Sequence, residues 1–335
     1  MAVLVSTQVI LIRTYLSFYE NEQRSPCEAT RQRLPAVRLP LRRSGQWASH
    51  VTTRQRLHRA RLADLGADAA KPAHVRRQRR GGAAHLRGLL RGLAVLVSDE
   101  VHSWCAGLDV PPETSARLYA TLTPDERTRS ARFQFERDRH RFIVARGVLR
   151  DLLGRYLQTQ PSQINFVYNA FGKPDLSPEF ANRLKFNLSH SAGFALIAVA
   201  TASNVGVDLE YIRAQSDYAD IARRFFSAAE VDYLIALPSH LYAEAFFNCW
   251  TKKEAYLKAC GEGLAIPLNS FSVPLTTDPA HTPVDLYVAS KDIVPTKRWS
   301  LFTLRPAPGY AGALAIEGTG WRLRQWQWKM PQRVE

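Results

Sequence analysis

The chain has 335 residues, 46% of them hydrophobic, with 45 Lys and Arg against 30 Asp and Glu, a formal net charge of +15. That length allows two domains, or one large domain with an appendage, and enough apolar residues for a real core. The charge is uneven: residues 1–94 hold 18 Lys and Arg against 5 Asp and Glu, and residues 95–335 hold 27 against 25, so the basic character excludes nothing about the body.

Within the basic arm, residues 1–94, only Lys71 is a lysine, and the run Arg76-Arg77-Gln78-Arg79-Arg80-Gly81-Gly82 has no apolar period. Such a segment cannot bury enough apolar surface to offset its ordering entropy, so disorder is expected. Two other readings stand beside it. One is translation from an initiation codon assigned too far upstream, although Met1 and Met330 are the only methionines. The other is an organelle transit peptide. Residues Ala2–Ile12 are mostly apolar, but they lack the flanks of a secretory signal and are too short to span a membrane. Cys27, Cys105, Cys249 and Cys260 have no C-x-x-C spacing, which points to a reduced cytoplasmic protein without structural zinc.

From about Val95 the pattern becomes regular. Ala94-Val95-Leu96-Val97 reads as a first strand. Thr123-Pro124-Asp125-Glu126 is a capping box that opens a helix. Phe142, Ala145, Leu149, Leu152, Leu153 and Tyr156 trace the apolar stripe of a second helix, with Arg141, Arg146, Arg150 and Arg155 on its other flank. Ile164–Val167 is a short strand, Phe171-Gly172-Lys173-Pro174 a turn, Phe194–Ala200 a buried strand and Val205–Leu209 another. Ser227-Ala228-Ala229-Glu230 is a second capping box. A long helix runs from about Leu241 to Cys260 and is stopped by Gly261, Gly263 and Pro267. Phe271–Val273, Val284–Val288, Trp299–Leu304 and Ala311–Ile316 are strand candidates. The fold class expected is α+β: two similar pseudo-twofold halves, residues 95–203 and 204–325, each a small, mainly antiparallel sheet packed with a long helix.

Three clusters carry chemistry. Asp208 and Glu210 alternate with Val205, Val207 and Leu209, so both carboxylates share one strand face; they form either a metal-binding pair or the polar face of an edge strand. Glu254 and Lys258 are four apart on one helix face, either a phosphate-facing pair or a surface ion pair worth ~0.3–0.5 kcal/mol. Together the clusters offer three carboxylates to a hard cation and a lysine to a phosphate, which suggests Mg²⁺-dependent chemistry on a phosphate ester or anhydride. The third is Ser189-His190. Adjacent residues on an extended chain point to opposite faces, and no G-x-S-x-G elbow exists, which argues against a nucleophilic triad. His190 fits a phosphate ligand or a buried structural histidine, and Lys173 alone is a turn lysine.

The order of these motifs is more telling than any one of them. Phe171-Gly172-Lys173-Pro174, Asn187-Leu188-Ser189-His190-Ser191, Gly206-Val207-Asp208-Leu209-Glu210 and Trp250-Thr251-Lys252-Lys253-Glu254-Ala255-Tyr256-Leu257-Lys258 follow one another as in the longer, surfactin-synthetase-activating 4′-phosphopantetheinyl transferases, which this chain closely resembles. Arg223-Arg224-Phe225-Phe226-Ser227 and Gly261-Glu262-Gly263-Leu264 agree with it. The resemblance covers about residues 95–320 and leaves the first 94 without a counterpart.

The resemblance implies transfer of the 4′-phosphopantetheine arm of coenzyme A to a serine of an acyl, peptidyl or aryl carrier protein, with release of adenosine 3′,5′-bisphosphate. It implies that Asp208, Glu210 and Glu254 hold Mg²⁺, that Lys258 reaches the pyrophosphate, and that Glu254 takes the serine proton, with Asp208 or a water as alternatives. Lys173, Ser189 and His190 match positions that contact coenzyme A, and Arg129 matches a basic position near its 3′-phosphate. The family often has a second basic residue where this chain has Glu126; Arg141 or Arg127 would have to compensate. The site is expected in the cleft between the halves of a monomer. Two other classes compete: a polyanion-binding protein acting through the basic arm, and another Mg²⁺-dependent phosphoryl-transfer enzyme or nuclease. The arm lacks interleaved aromatics and the body keeps every candidate metal ligand, which argues against the first, and motif order argues against the second; neither nucleic acid nor a membrane is an expected partner.

Overall fold

The computed structural model describes residues 96–213, 218–275, 284–285 and 298–330; the basic arm lies outside the described residues. In chain order the elements are β1 (Glu100–Gly107), α1 (Pro112–Ala120), α2 (Pro124–Ser130), α3 (Glu136–Leu157), β2 (Phe166–Tyr168), β3 (Pro174–Leu176), β4 (Lys185–Ser191), β5 (Phe194–Ala200), β6 (Val205–Tyr211), α4 (Tyr218–Phe225), α5 (Ala228–Ala236), α6 (Ser239–Cys260), β7 (Val284–Asp285), β8 (Trp299–Leu304), β9 (Tyr310–Glu317) and β10 (Arg322–Gln327). The class is α+β.

Both capping boxes form. Glu126 accepts from the backbone N–H of Thr123 at the start of α2, and Glu230 from that of Ser227 at the start of α5. Gly261 ends α6 at φ 76°, a left-handed position that glycine reaches without a Cβ penalty. Of the strand expected at 94–97, residues 94 and 95 lie outside the described residues; Leu96 and Val97 are not in a strand, and the Val97 carbonyl accepts from the Glu100 N–H in a turn that feeds β1. Of the strand expected at Val284–Val288, only Val284–Asp285 is described.

Two four-stranded sheets organise the core, in the orders β10-β1-β5-β4 and β6-β9-β8-β7. β5 alternates between two apolar clusters. Ala195, Ile197 and Val199 pack with Leu149, Leu152 and Leu153 of α3, whereas Leu196, Ala198 and Ala200 pack with Val205, Val207 and Leu209 of β6. β9 does the same: Leu314 and Ile316 join the cluster between the sheets, while Ala313 and Ala315 face Ala255 and Ala259 of α6. The layers are therefore α3, sheet, sheet, α6. A strand buried on both faces has no polar alternation, which is why Phe194–Ala200 is uniformly apolar. The chain ends by returning to the first sheet, where β10 runs parallel to β1 from Glu100↔Arg322 to Cys105↔Gln327.

Arg146 and Arg150 do not lie on a solvent flank of α3. Both are buried, with Nε donating to the two oxygens of Glu126 at 2.6 and 2.7 Å; Arg150 also donates to the carbonyls of Pro161 and Ile164. Burial pushes the Glu126 carboxyl upward, but the two guanidinium groups outweigh it and hold the group below the usual carboxylate range. Apolar periodicity could not show this, because the partner stands on another helix.

One close approach positions the second half of the core. At Gly206 of β6 an added Cβ would lie 2.1 Å from the Ala255 carbonyl and 2.3 Å from the Ala259 amide. Both are helix backbone, which cannot move aside as a side chain can. Gly206→Ala is therefore expected to destabilise the protein by about 1–3 kcal/mol or more, the cost of overpacking a well-filled core, as read from urea unfolding.

His102 gives a pH dependence. It is fully buried on β1 against the ring of Trp326. Trp104 Nε1 donates to the Tyr156 hydroxyl at 2.8 Å, and His102 Nδ1 shares a hydrogen bond with the same hydroxyl at 2.6 Å. Burial pulls the imidazole pKa down to about 4, against the opposing influence of Glu100. Between pH ~6.5 and that value the unfolded chain binds a proton that the fold refuses, so stability is whole above pH ~6.5 and falls as the pH drops. His102→Gln is expected to flatten this part of the profile in urea titrations from pH 7 to 4.

Candidate active site

The site forms where the free edges of the two sheets meet. In β4 the side chains of Asn187, Ser189 and Ser191 share one face, and all three reach β6. Asn187 Oδ1 accepts from the Val207 N–H at 2.9 Å, and Ser191 Oγ accepts from the Tyr211 N–H at 3.1 Å. Two amides on the edge of β6 are thus satisfied by side chains rather than by a backbone ladder. Between them Ser189 Oγ donates to Asp208 Oδ1 at 2.9 Å, and further along Ser191 Oγ donates to Glu210 Oε2 at 2.9 Å.

Val205, Val207 and Leu209 point into the cluster between the sheets. Asp208 and Glu210 consequently lie on the other face of β6, the side on which α6 packs against Gly206. Asp208 is completely buried, and the Lys258 ammonium contacts its Oδ1. Lys258 Nζ also donates to Ser189 Oγ at 2.9 Å, closing a triangle of lysine, serine and carboxylate. The second oxygen, Asp208 Oδ2, is buried with no hydrogen-bond partner.

Glu254 and Lys258 line one cavity of about 350 Å³ together with Phe171, Gly172, Lys173, Pro174, Asn187 and Leu188. The turn that carries Lys173 is tied to the end of α6. Lys173 Nζ donates to the carbonyls of Ala259 and Val205 at 2.9 and 3.3 Å, and Asn169 Nδ2 donates to the Gly261 carbonyl at 2.8 Å. A cation at a helix C-terminus is favoured by the helix dipole. Burial nonetheless pulls the Lys173 pKa down to about 8. α6 itself is anchored by Lys253, which is fully buried, pairs with Glu230 at 2.8 Å and donates to the carbonyls of Leu268 and Phe271.

Asp208, Ser189 and Lys258 are thus in direct contact, and Glu254 and Lys173 share a cavity with Lys258. His190 stands apart: it is exposed, and alternation along β4 places it on the face opposite Ser189, so it is not a buried histidine. Arg129 lines a second, open cavity with Asp125, Thr128, Arg132 and Phe133, its guanidinium 5.5 Å from the centre of the Phe142 ring. Among the described residues no three His, Cys, Asp or Glu side chains are already gathered as a metal cage. A buried carboxylate with one unpartnered oxygen nevertheless fits a cation, and a lysine is already there. Asn187 and Ser191 were not singled out from sequence, although their two-residue spacing around Ser189 was a signal that all three share a strand face.

Glu126, which stands where the family often has a basic residue, is an anion held between two buried arginines and offers nothing to a phosphate. Arg141 is paired with Asp109, and Arg127 donates to the Ala120 carbonyl. Glu126→Lys, which restores a basic residue here, is expected to cost about 3–5 kcal/mol by leaving buried charge uncompensated, and calorimetric unfolding measures that loss.

The model of the 4′-phosphopantetheinyl transferase superfamily matches residues 204–303, and that of the 4′-phosphopantetheinyl transferase N-terminal region matches residues 111–202. The chain is 42% identical to the 4′-phosphopantetheinyl transferase HetI of Nostoc sp. over 235 residues, 70% of this chain and 94% of that protein. It is 29% identical to the 4′-phosphopantetheinyl transferase Sfp of Bacillus subtilis over 202 residues, 58% of this chain and 87% of that protein. The 4′-phosphopantetheinyl transferase gsp of Aneurinibacillus migulanus is 30% identical over 154 residues, 46% of this chain and 62% of that protein. With nearly the whole of one relative covered at that identity, the chain belongs to the 4′-phosphopantetheinyl transferase superfamily, as an enzyme of its longer type.

Proposed function

We propose that this enzyme transfers 4′-phosphopantetheine from coenzyme A to a serine hydroxyl of an apo acyl, peptidyl or aryl carrier protein, with Mg²⁺ and with release of adenosine 3′,5′-bisphosphate. The observation that carries this reading is the buried Asp208 carboxylate, with one oxygen unpartnered, beside a cavity lined by Glu254, Lys258 and Lys173. Asp208, Glu210 and Glu254 would hold the metal, which when bound offsets charge on the pyrophosphate under attack.

The chain's own residues supply the rest. Glu254 takes the proton as the serine oxygen bonds to the phosphorus that carries the pantetheine arm. The bond from that phosphorus to the bridging oxygen breaks, and its electron pair leaves on adenosine 3′,5′-bisphosphate. Lys258 lies one helical turn from Glu254 and meets the pyrophosphate oxygens. Lys173, Ser189 and His190 contact coenzyme A, and Arg129 faces its 3′-phosphate from α2. Lys173 has to give up its backbone carbonyls to do so, or else serves chiefly to hold the turn.

Residues 95–203 and 204–325 are read as two pseudo-twofold halves with the site in their cleft. The two family matches meet at 202 and 204, which supports this division. The cavity is lined from both sides of that boundary by one chain, which supports a monomer. Cys105 and Cys249 are buried free thiols, in keeping with a reducing cytoplasm. No helix of the described residues is long and apolar enough to cross a membrane.

Mass spectrometry of an apo carrier incubated with the enzyme, coenzyme A and Mg²⁺ tests the reading. The expected result is a gain of one phosphopantetheine, abolished by EDTA. Glu254→Gln is expected to lower the transfer rate by about 10²–10⁴, the usual contribution of a positioned base, with the fold intact by circular dichroism. A wild-type rate in that variant removes Glu254 from the role of base.

A further inference from the structure

Asp208 is an aspartate with no exposure at all, and it needs a counter-charge whether or not a metal is present. In this structure the counter-charge is Lys258. Its ammonium sits on Oδ1 and also donates to Ser189 Oγ, which itself donates to Oδ1. Both polar contacts therefore fall on one oxygen, and Oδ2 is left without a partner. An ammonium is a compact charge on a flexible four-carbon stem, and this side chain is about one-fifth exposed and borders the cavity.

A divalent ion on Oδ2 and this ammonium on Oδ1 compete for one carboxylate. They carry like charge, and an ion bound to Oδ2 would lie within a few ångströms of the lysine, where repulsion is weakly screened. The cavity it borders, lined also by Phe171, Gly172 and Pro174, gives the stem room to leave by. On the reading that this cavity takes coenzyme A, the ammonium then moves from a carboxylate towards an anionic substrate.

We propose that Lys258 is the resident cation of Asp208, and that a divalent metal binds this enzyme by displacing it, so that metal loading and release of Lys258 into the cavity are one event. This rests on the reading that Asp208 is a metal ligand. Two consequences follow. The empty enzyme keeps its buried carboxylate compensated and stays folded without metal. Metal and anionic substrate also favour each other, because the lysine expelled by the first becomes a partner for the second, and such coupling is reciprocal.

The test uses the full chain and Mn²⁺ as the probe, without coenzyme A or carrier, with free Mn²⁺ read by electron paramagnetic resonance. Lys258→Met keeps the length of the side chain and removes the competing charge; it is expected to bind Mn²⁺ roughly tenfold tighter or more than wild type. Equal or weaker binding in this variant overturns the proposal. Wild-type protein gives a second readout that needs no variant to fold: acylation of the Lys258 amine by a succinimidyl ester, mapped by peptide mass spectrometry. Adding Mn²⁺ is expected to raise its reactivity several-fold, and unchanged reactivity at saturating Mn²⁺ overturns the proposal. Asp208→Asn separates the two levels. If it binds Mn²⁺ as wild type does, Asp208 is not a ligand and the underlying reading falls, taking the proposal with it. If it loses Mn²⁺ while Lys258→Met is unchanged, the reading stands and displacement fails.

Discussion

The backbone of α6 touches the backbone of β6 where Gly206 has no side chain, and the candidate site depends on that contact. Ala255 and Ala259 are the helix residues at the contact, and each directly follows a candidate site residue, Glu254 or Lys258. Two residues along the strand is Asp208, on the same face as Gly206. A larger residue at any of these small positions would lift the helix. The lysine would then be too far to reach a carboxylate buried on the strand. Small residues here act as spacers of zero length, and the charged groups inherit their positions.

Burying Asp208 makes that geometry compulsory. A surface Glu–Lys pair at helical spacing contributes ~0.3–0.5 kcal/mol and can be lost without consequence. A buried carboxylate deprived of its partner costs about 3–5 kcal/mol, a large part of the stability of a domain. The difference decides how Lys258 should be regarded. It is held against Asp208 by the cost of leaving that charge alone, and any group that replaces it must be a cation. The remaining burial is handled in the same way elsewhere. Glu126 is matched by Arg146 and Arg150, and Glu230 by Lys253. In each case the acid also caps a helix, so one carboxylate fixes both an entry angle and a long-range contact.

Local chemistry was legible in the chain, and long-range pairing was not. The two capping boxes, the glycine stop of α6 and the strand at Trp299–Leu304 could be read because each is written in a few adjacent residues. The shared face of Asp208 and Glu210 followed from the period of two. Arg146 and Arg150 defeated periodicity, because charged residues flanking an apolar stripe look solvent-bound until the partner on α2 is seen. Leu96 and Val97 are not in the strand expected there, because a short apolar run carries no length or boundary signal. β10 was missed since Arg322-Leu323-Arg324-Gln325-Trp326-Gln327 has mostly polar, exposed residues; its parallel place beside β1 is a matter of topology, with Arg324 meeting Glu100 across a sequence gap of 224. The spacing of Asn187, Ser189 and Ser191 shows that they share a face, but not which strand's edge that face satisfies, because the partner strand has no signature in β4.

The edge-to-edge seam explains why an apolar sandwich can carry a polar site at all. Face to face, the sheets bury Val207, Leu209, Leu196 and Leu314, which tolerate no water. Had β4 and β6 joined by backbone hydrogen bonds, the edge would be sealed and continuous, with little space for a cavity. Asn187 and Ser191 satisfy the amides of β6 at side-chain length instead, which holds the two strands further apart than a ladder would. The serine between them then finds a carboxylate rather than an amide, and the lysine of α6 completes the triangle. The same substitution of side chains for a ladder satisfies the edge, opens the space beside it and places an acid within reach of a cation.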